Sequence, residues 1–94
     1  MFLVMIDYIK PLSEIDQHLV AHREFLDTWY KKECFIASGP QNPRIGGVLI
    51  SQLKDREQLW SILQQDPFYV HELALYTLIE FDPVKYHPDF AKFI

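Results

Sequence analysis

Four short apolar runs, separated by two amphipathic segments, constrain the fold of this chain more than any other feature. The runs are rich in β-branched and aromatic residues, which is typical of strands. They span Phe2–Tyr8, Cys34–Ala37, Val48–Leu53 and Leu73–Phe81. A long helical pattern over Ser13–Glu33 separates the first two runs, and a shorter one that follows Asp55 separates the last two. The order βαββαβ predicts an α+β domain with a four-stranded antiparallel sheet and both helices on one face.

The runs are apolar at successive positions rather than at alternate ones. A sheet with helices on one face and water on the other normally alternates apolar and polar residues. Leu3, Met5 and Ile79 break that rule here, and 49% of the 94 residues are hydrophobic. Since no further element remains to cover the second face, we expect a homodimer that pairs two sheets face to face. The tail 82–94, with Phe90 and Phe93, is expected to contact that dimer seam or the pocket.

Composition excludes several classes of function. The formal net charge is -4, and the nine basic residues are scattered, so a nucleic-acid-binding surface is not expected. No segment has the length of a membrane span or the pattern of a signal peptide, and the single Cys34 lacks zinc-site spacing. We therefore expect one cytoplasmic domain over residues 1–94, without membrane contact, metal or cofactor.

His22 is the candidate catalytic residue because it occupies a position where a histidine is unusual. It falls near the centre of the apolar stripe of the first helix, between Leu19 and Leu26. An imidazole directed toward the core needs a hydrogen-bond partner. Asp66, at the end of the second helix, is the best candidate, because both helices pack on the same sheet face. A carboxylate bound to one ring nitrogen fixes the tautomer and makes the other a general acid or base.

The same residues also have a structural interpretation. Asp66 before Pro67 is typical of a helix N-cap followed by proline at the first helical position. A histidine on an apolar face is more often a hydrogen-bonded core residue than a catalyst, so spacing alone favours a buried polar contact that fixes helix packing.

The order of short motifs resembles the YCII-related (YciI-like) family over nearly the whole chain. The His22 helix leads into Ala37-Ser38-Gly39-Pro40, and a later helix leads into Gln65-Asp66-Pro67-Phe68. The resemblance implies a ferredoxin-like domain that dimerises into an α/β barrel, with His22 and Asp66 at the positions of a proposed active-site dyad. It also implies that Ser38, Gly39 and Pro40 form a small-residue turn at the same pocket, where we add Phe68 as a substrate contact.

Two departures from the family pattern prevent a transfer of substrate. His71-Glu72-Leu73 stands where many relatives carry small residues, and the loop after Pro40 is brief. One family branch is associated with dehydrochlorination of an aromatic ring, and nothing in this sequence indicates membership of that branch.

The sequence leads to a hypothesis of a small, cofactor-independent, homodimeric enzyme. His22 and Asp66 would transfer a proton on a small organic substrate, for which the apolar lining favours a cyclic or aromatic compound, with Ser38 and Gly39 holding a polar substituent. Isomerisation, elimination and hydrolysis all remain open. The alternative is a non-catalytic module that binds a small metabolite or serves as an accessory subunit.

Overall fold

The sheet is antiparallel throughout and places its first strand at the centre. The computed structural model describes residues 1–94. The strands are β1 (Phe2–Tyr8), β2 (Phe35–Pro40), β3 (Gly46–Ser51) and β4 (Ala74–Glu80). They lie in the order β2-β3-β1-β4, so β1 pairs with β3 on one side and with β4 on the other. This is the ferredoxin-like α+β arrangement expected from the βαββαβ order, and the fold prediction is confirmed.

The helical segments pack against the sheet and complete the core. They are α1 (Leu12–Gln17), α2 (Leu19–Lys31), α3 (Arg56–Leu63) and α4 (Pro67–Val70), with a 3₁₀ helix over Pro88–Phe93. Asp55 caps α3 through its carboxylate, which accepts from the backbone N–H groups of Glu57 and Gln58.

The expectation of one continuous helix over Ser13–Glu33 is wrong. The segment is divided at His18, which has φ -112° and ψ 7° and lies between α1 and α2. The His18 N–H binds the Ile15 carbonyl three residues back, which closes α1 with a tighter turn than an α-helix makes. The His18 ring stacks on His71 with 4.0 Å between centroids, so the break is held by a contact to the end of α4.

The bounds of the middle strands also differ from the sequence prediction. Ser38, Gly39 and Pro40 do not stop β2; they are its last three residues. Proline is tolerated there because β2 is the edge strand of the sheet, where a missing N–H breaks no central ladder. β3 begins at Gly46 rather than Val48. A Cβ on Gly46 would lie 2.0 Å from the Ile6 carbonyl oxygen, so only glycine permits this approach to β1.

The core lies between the sheet and the helices. Phe2, Val4 and Ile6 alternate along β1 and are buried, together with Leu59 and Leu63 of α3. The intervening side chains face the other side of the sheet, where apolar residues are half-buried or exposed: Leu3, Met5, Val48, Ile50, Leu75 and Ile79. The predicted homodimer through this face stays a prediction.

The tail packs at the end of the sheet away from the main cavity. The Phe81 N–H binds the Met1 carbonyl, and Phe93 lies at a small cleft with Met1. No residue of 82–94 lines the main cavity of its own chain, and a role of the tail in a dimer stays a prediction. None of the helices has the length and apolarity needed to span a bilayer.

Candidate active site

Asp66 is positioned by the turn that joins α3 to α4. Its side chain is the N-cap of α4: Oδ1 accepts from the Phe68 N–H at 3.0 Å, and Pro67 takes the first helical position. Asp66 is only 1% exposed, on the helix-facing side of the core. A buried carboxylate needs several donors to offset the loss of water, and the cap supplies the first of them.

The second donor is His22. Its Nδ1 lies 2.8 Å from the same Asp66 Oδ1, and the two side chains are 12% and 1% exposed. The structure therefore brings together the two residues singled out in the sequence. The two interpretations of Asp66 do not exclude each other, since one oxygen both caps α4 and binds the imidazole.

The third donor is Tyr76, which was not among the residues predicted from the sequence. Tyr76 lies in the middle of β4, and its hydroxyl donates to Asp66 Oδ2 with 2.5 Å between the two oxygens. Burial first, then the negative charge of Asp66 and this hydrogen bond, raise the pKa of Tyr76 well above its ordinary value. Tyr76 thus stays a neutral donor. The available signal was its inward position in β4, since a tyrosine hydroxyl in a core usually needs a partner.

Phe68 fixes the plane of the imidazole. The rings of His22 and Phe68 are stacked with 4.0 Å between centroids and 4° between planes. Phe68 is 1% exposed and meets Tyr8 edge to face, so it cannot move without disturbing the core. With its edge held by Asp66 and its face by Phe68, the His22 ring has one orientation.

A cavity of about 750 Å³ opens beside the imidazole, between α2 and the sheet. Five of the six sequence-predicted site residues line it, whereas Asp66 lies behind His22 and does not. The five are His22, Ser38, Gly39, Pro40 and Phe68. The small-residue segment thus forms a wall as predicted from the resemblance, although it does so as strand rather than turn.

Two hydroxyls meet on the wall formed by β2. Tyr30 Oη and Ser38 Oγ lie 2.7 Å apart, and both side chains line the cavity. Either one donates to the other, which leaves the pair able both to accept from and donate to a polar group in the cavity. Tyr30 was not a predicted site residue, because its stripe position on α2 is equally typical of a core aromatic.

Arg44 is a third site residue that was not predicted from the sequence. It lies in the loop between β2 and β3, lines the cavity, and donates through Nη2 to Asp16 Oδ1 of α1 at 2.6 Å. The hydrogen bond and the charge of Asp16, with a smaller contribution from Tyr8, raise the pKa of Arg44. Its sequence position after Asn42-Pro43 indicated only a loop.

The solved structures that share this fold include one that is similar over most of its length. It is the 5-chloro-2-hydroxyhydroquinone dehydrochlorinase TftG from Burkholderia phenoliruptrix, in complex with 2,5-dihydroxybenzoquinone. The TM-score is 0.70 at 18% sequence identity, over 87% of this chain and 94% of that chain. At this identity the likeness shows the fold alone.

Sequence comparisons give the family. A search of curated proteins finds no significant match. The model of the YCII-related domain matches residues 1–82, which include all four strands and every predicted site residue. The chain therefore belongs to the YCII-related domain family.

Proposed function

We propose that this chain is a cofactor-independent enzyme in which His22, oriented by Asp66, transfers a proton to or from a small organic substrate. The observation that carries the proposal is the placement of the imidazole, with Nδ1 bound to a buried carboxylate and the side chain at the cavity wall. A histidine held in this way acts as a general base or acid through its other nitrogen.

The hydrogen-bond pattern assigns the tautomer. Asp66 Oδ1 accepts from the Phe68 N–H, and a carboxylate is acceptor-only, so the proton between Asp66 and His22 belongs to Nδ1. Nε2 then carries the lone pair and takes a proton from substrate. The imidazolium that forms lies against the Asp66 carboxylate, which stabilises the new positive charge.

The cavity supports a small, cyclic, oxygenated substrate. Its volume of about 750 Å³ lies within the range of roughly 300–1,000 Å³ that is usual for small-molecule sites. Tyr8, Leu26 and Phe68 provide apolar and aromatic surface, while Ser38 and Tyr30 provide hydroxyls for a polar substituent. The structurally similar TftG acts on a chlorinated hydroxyhydroquinone, which makes an oxygenated ring the first class to test.

We also propose that the enzyme is a homodimer through the outer sheet face. Leu75 and Ile79 of the edge strand β4 are 60% and 47% exposed on that face, and Met5 of β1 and Ile50 of β3 continue the apolar surface across the sheet. Exposed apolar side chains that adjoin across strands are typical of a protein interface.

The decisive experiment compares the wild type with His22→Gln. Chloride release from 5-chloro-2-hydroxyhydroquinone is measured first. A panel of phenols and cyclic ketones is then scored by deuterium exchange at acidic carbon positions, which reports proton abstraction whatever reaction follows. We expect His22→Gln to lose turnover by on the order of 10²-fold or more.

The matched control is His87→Gln, since His87 is exposed in the tail and does not line the cavity. It should retain wild-type turnover. Activity that is unchanged in His22→Gln overturns the proposal. Ligand binding that survives His22→Gln, with no exchange or turnover of any compound in the wild type, supports a binding module instead.

A further inference from the structure

We infer that the cavity selects organic anions, specifically rings that carry a carboxylate or an ionised phenol, and that Arg44 binds the charged oxygen. The inference rests on the proposed function for its reaction, but it concerns recognition, which is measured without turnover.

The cavity is lined by arginine in an acidic protein. The chain has 13 acidic and nine basic residues, and only three of the basic residues are arginines. Two of those three, Arg23 and Arg44, line the cavity, and none of the lysines does. Asp27 is the only acidic residue in the wall. This arrangement places two of the three guanidinium groups of the chain where a ligand would enter.

Arginine is the residue type suited to an oxyanion with two oxygens. Its planar guanidinium presents five N–H donors that match a carboxylate, whereas lysine offers a point charge. The bond to Asp16 uses Nη2 of Arg44. Donors on the other nitrogens are left for a ligand in the cavity, while the bond to Asp16 holds the side chain in place.

The backbone around Arg44 is fixed as well. The carbonyl of Ile45, the next residue, accepts from the Tyr8 N–H at 3.0 Å, and the Gln41 N–H binds the Gly46 carbonyl at 2.8 Å. Gly46 lies so close to β1 that no side chain fits there. An arginine on a loop pinned at both sides loses little freedom on binding a ligand, which favours affinity.

Arg23 adds a second guanidinium group that forms no ion pair with a carboxylate. The ion pairs of the structure join His22 to Asp66, Arg44 to Asp16 and His87 to Asp89, so Arg23 is not among them. Asp16 and Asp27 together offset the charges of the two arginines, so the selectivity rests on the geometry of the Arg44 guanidinium rather than on a net positive charge. Arg44 therefore supplies the donors that bind the oxygens of the anion, and Arg23 attracts the anion at longer range.

The test uses benzoate and benzamide, two probes of the same shape that differ in charge. Binding of each is followed by backbone amide NMR in wild type, Arg44→Gln and Arg56→Gln. We expect the wild type to bind benzoate at least about tenfold more tightly than benzamide, with shifts at Ser38 and His22. Arg44→Gln should remove the preference, and Arg44→Lys should restore only part of it.

Arg56→Gln is the matched control, because it makes the same change of charge at a residue that does not line the cavity. Arg56 lies over the Phe2 ring instead. The variant should keep the preference. Equal affinity for the two probes, no binding of benzoate at millimolar concentration, or a preference that survives Arg44→Gln overturns the inference.

The two proposals fail separately. His22→Gln is expected to lose turnover and keep the benzoate preference. If His22→Gln loses turnover but the wild type binds benzoate and benzamide equally, the inference of anion selectivity fails and the proposed function stands.

Discussion

The imidazole of His22 and the ring of Phe68 lie face to face, 4.0 Å apart and within 4° of parallel. Phe68 also donates its backbone N–H to the carboxylate that binds the edge of the same imidazole. The segment from Asp66 to Phe68 thus fixes both the edge and the face of His22. Because one helix turn does this, small changes there are expected to act on the histidine before they act on the rest of the fold.

Asp66→Asn is expected to separate the cap from the proton transfer. Asparagine caps helices about as well as aspartate, so the variant should fold with its Oδ1 still accepting from Phe68. Turnover should fall on the order of 10²-fold or more, because a neutral amide does not stabilise an imidazolium. Turnover at the wild-type level, measured beside urea unfolding, would contradict the assigned role.

Asp66→Ala should instead lower the stability of the folded protein. It leaves three groups in the core without their acceptor: His22 Nδ1, the Phe68 N–H and the Tyr76 hydroxyl. Each buried polar group left unpaired costs about 1–3 kcal/mol. We expect the free energy of unfolding to drop by roughly 3 kcal/mol or more, and a loss equal to that of Asp66→Asn would argue against three independent contacts.

Tyr76→Phe tests the residue behind the pair. Removing the hydroxyl leaves Asp66 Oδ2 buried without its donor, at a cost of about 1–3 kcal/mol in the free energy of unfolding. Tyr86→Phe is the control, since Tyr86 lies in the tail and is 46% exposed; it should change stability little. Chemical denaturation of both variants measures the difference, and equal values would mean that the Tyr76 bond contributes nothing.

The raised pKa of Tyr76 predicts a decline of stability at alkaline pH. Below pH 10, the ordinary value for tyrosine, the phenol is neutral in both the folded and the unfolded chain. Above it the unfolded chain ionises and the folded one does not, so unfolding releases a proton and stability falls with a limiting slope of about 1.4 kcal/mol per pH unit. Urea unfolding of the wild type and Tyr76→Phe above that pH should show a shallower decline for the variant; parallel declines would assign the effect to other groups.

The proposed dimer predicts which surface residues are sensitive to charge. Leu75→Lys or Ile79→Lys places a cation on the outer sheet face and should shift sedimentation from dimer to monomer. Val20→Lys, at a position 69% exposed on α2, should leave the association unchanged. A wild-type chain that sediments as a monomer at micromolar concentration would exclude the interface.

The fold was accessible from sequence because four apolar runs and two amphipathic segments follow one another in the order βαββαβ. The start of α3 was accessible as well, because Asp55 caps it as the sequence predicted. The pairing of His22 with Asp66 was accessible for a related reason: an imidazole within an apolar stripe needs a partner. In both cases the local pattern and the packed structure impose the same requirement.

Other features depend on tertiary contacts that no local pattern contains. No glycine or proline marks the break at His18, and its stacking partner His71 is distant in sequence. Tyr76 and Arg44 become site residues only because β4 and the β2–β3 loop are folded against Asp66 and α1. Pro40 was misleading because its effect on a strand depends on whether that strand is at the edge of the sheet.

The break at His18 has a consequence for how the site can change. In an unbroken helix, the directions of side chains six residues apart differ by a fixed angle of about 120°. The break at His18 frees the direction of Asp16 from that of His22. With two segments, Asp16 holds Arg44 while His22 faces the cavity. The proposed anion recognition by Arg44 and the proposed proton transfer by His22 thus depend on separate helical segments. A shift in the length or tilt of α1 would retune what the cavity accepts and leave the base in place.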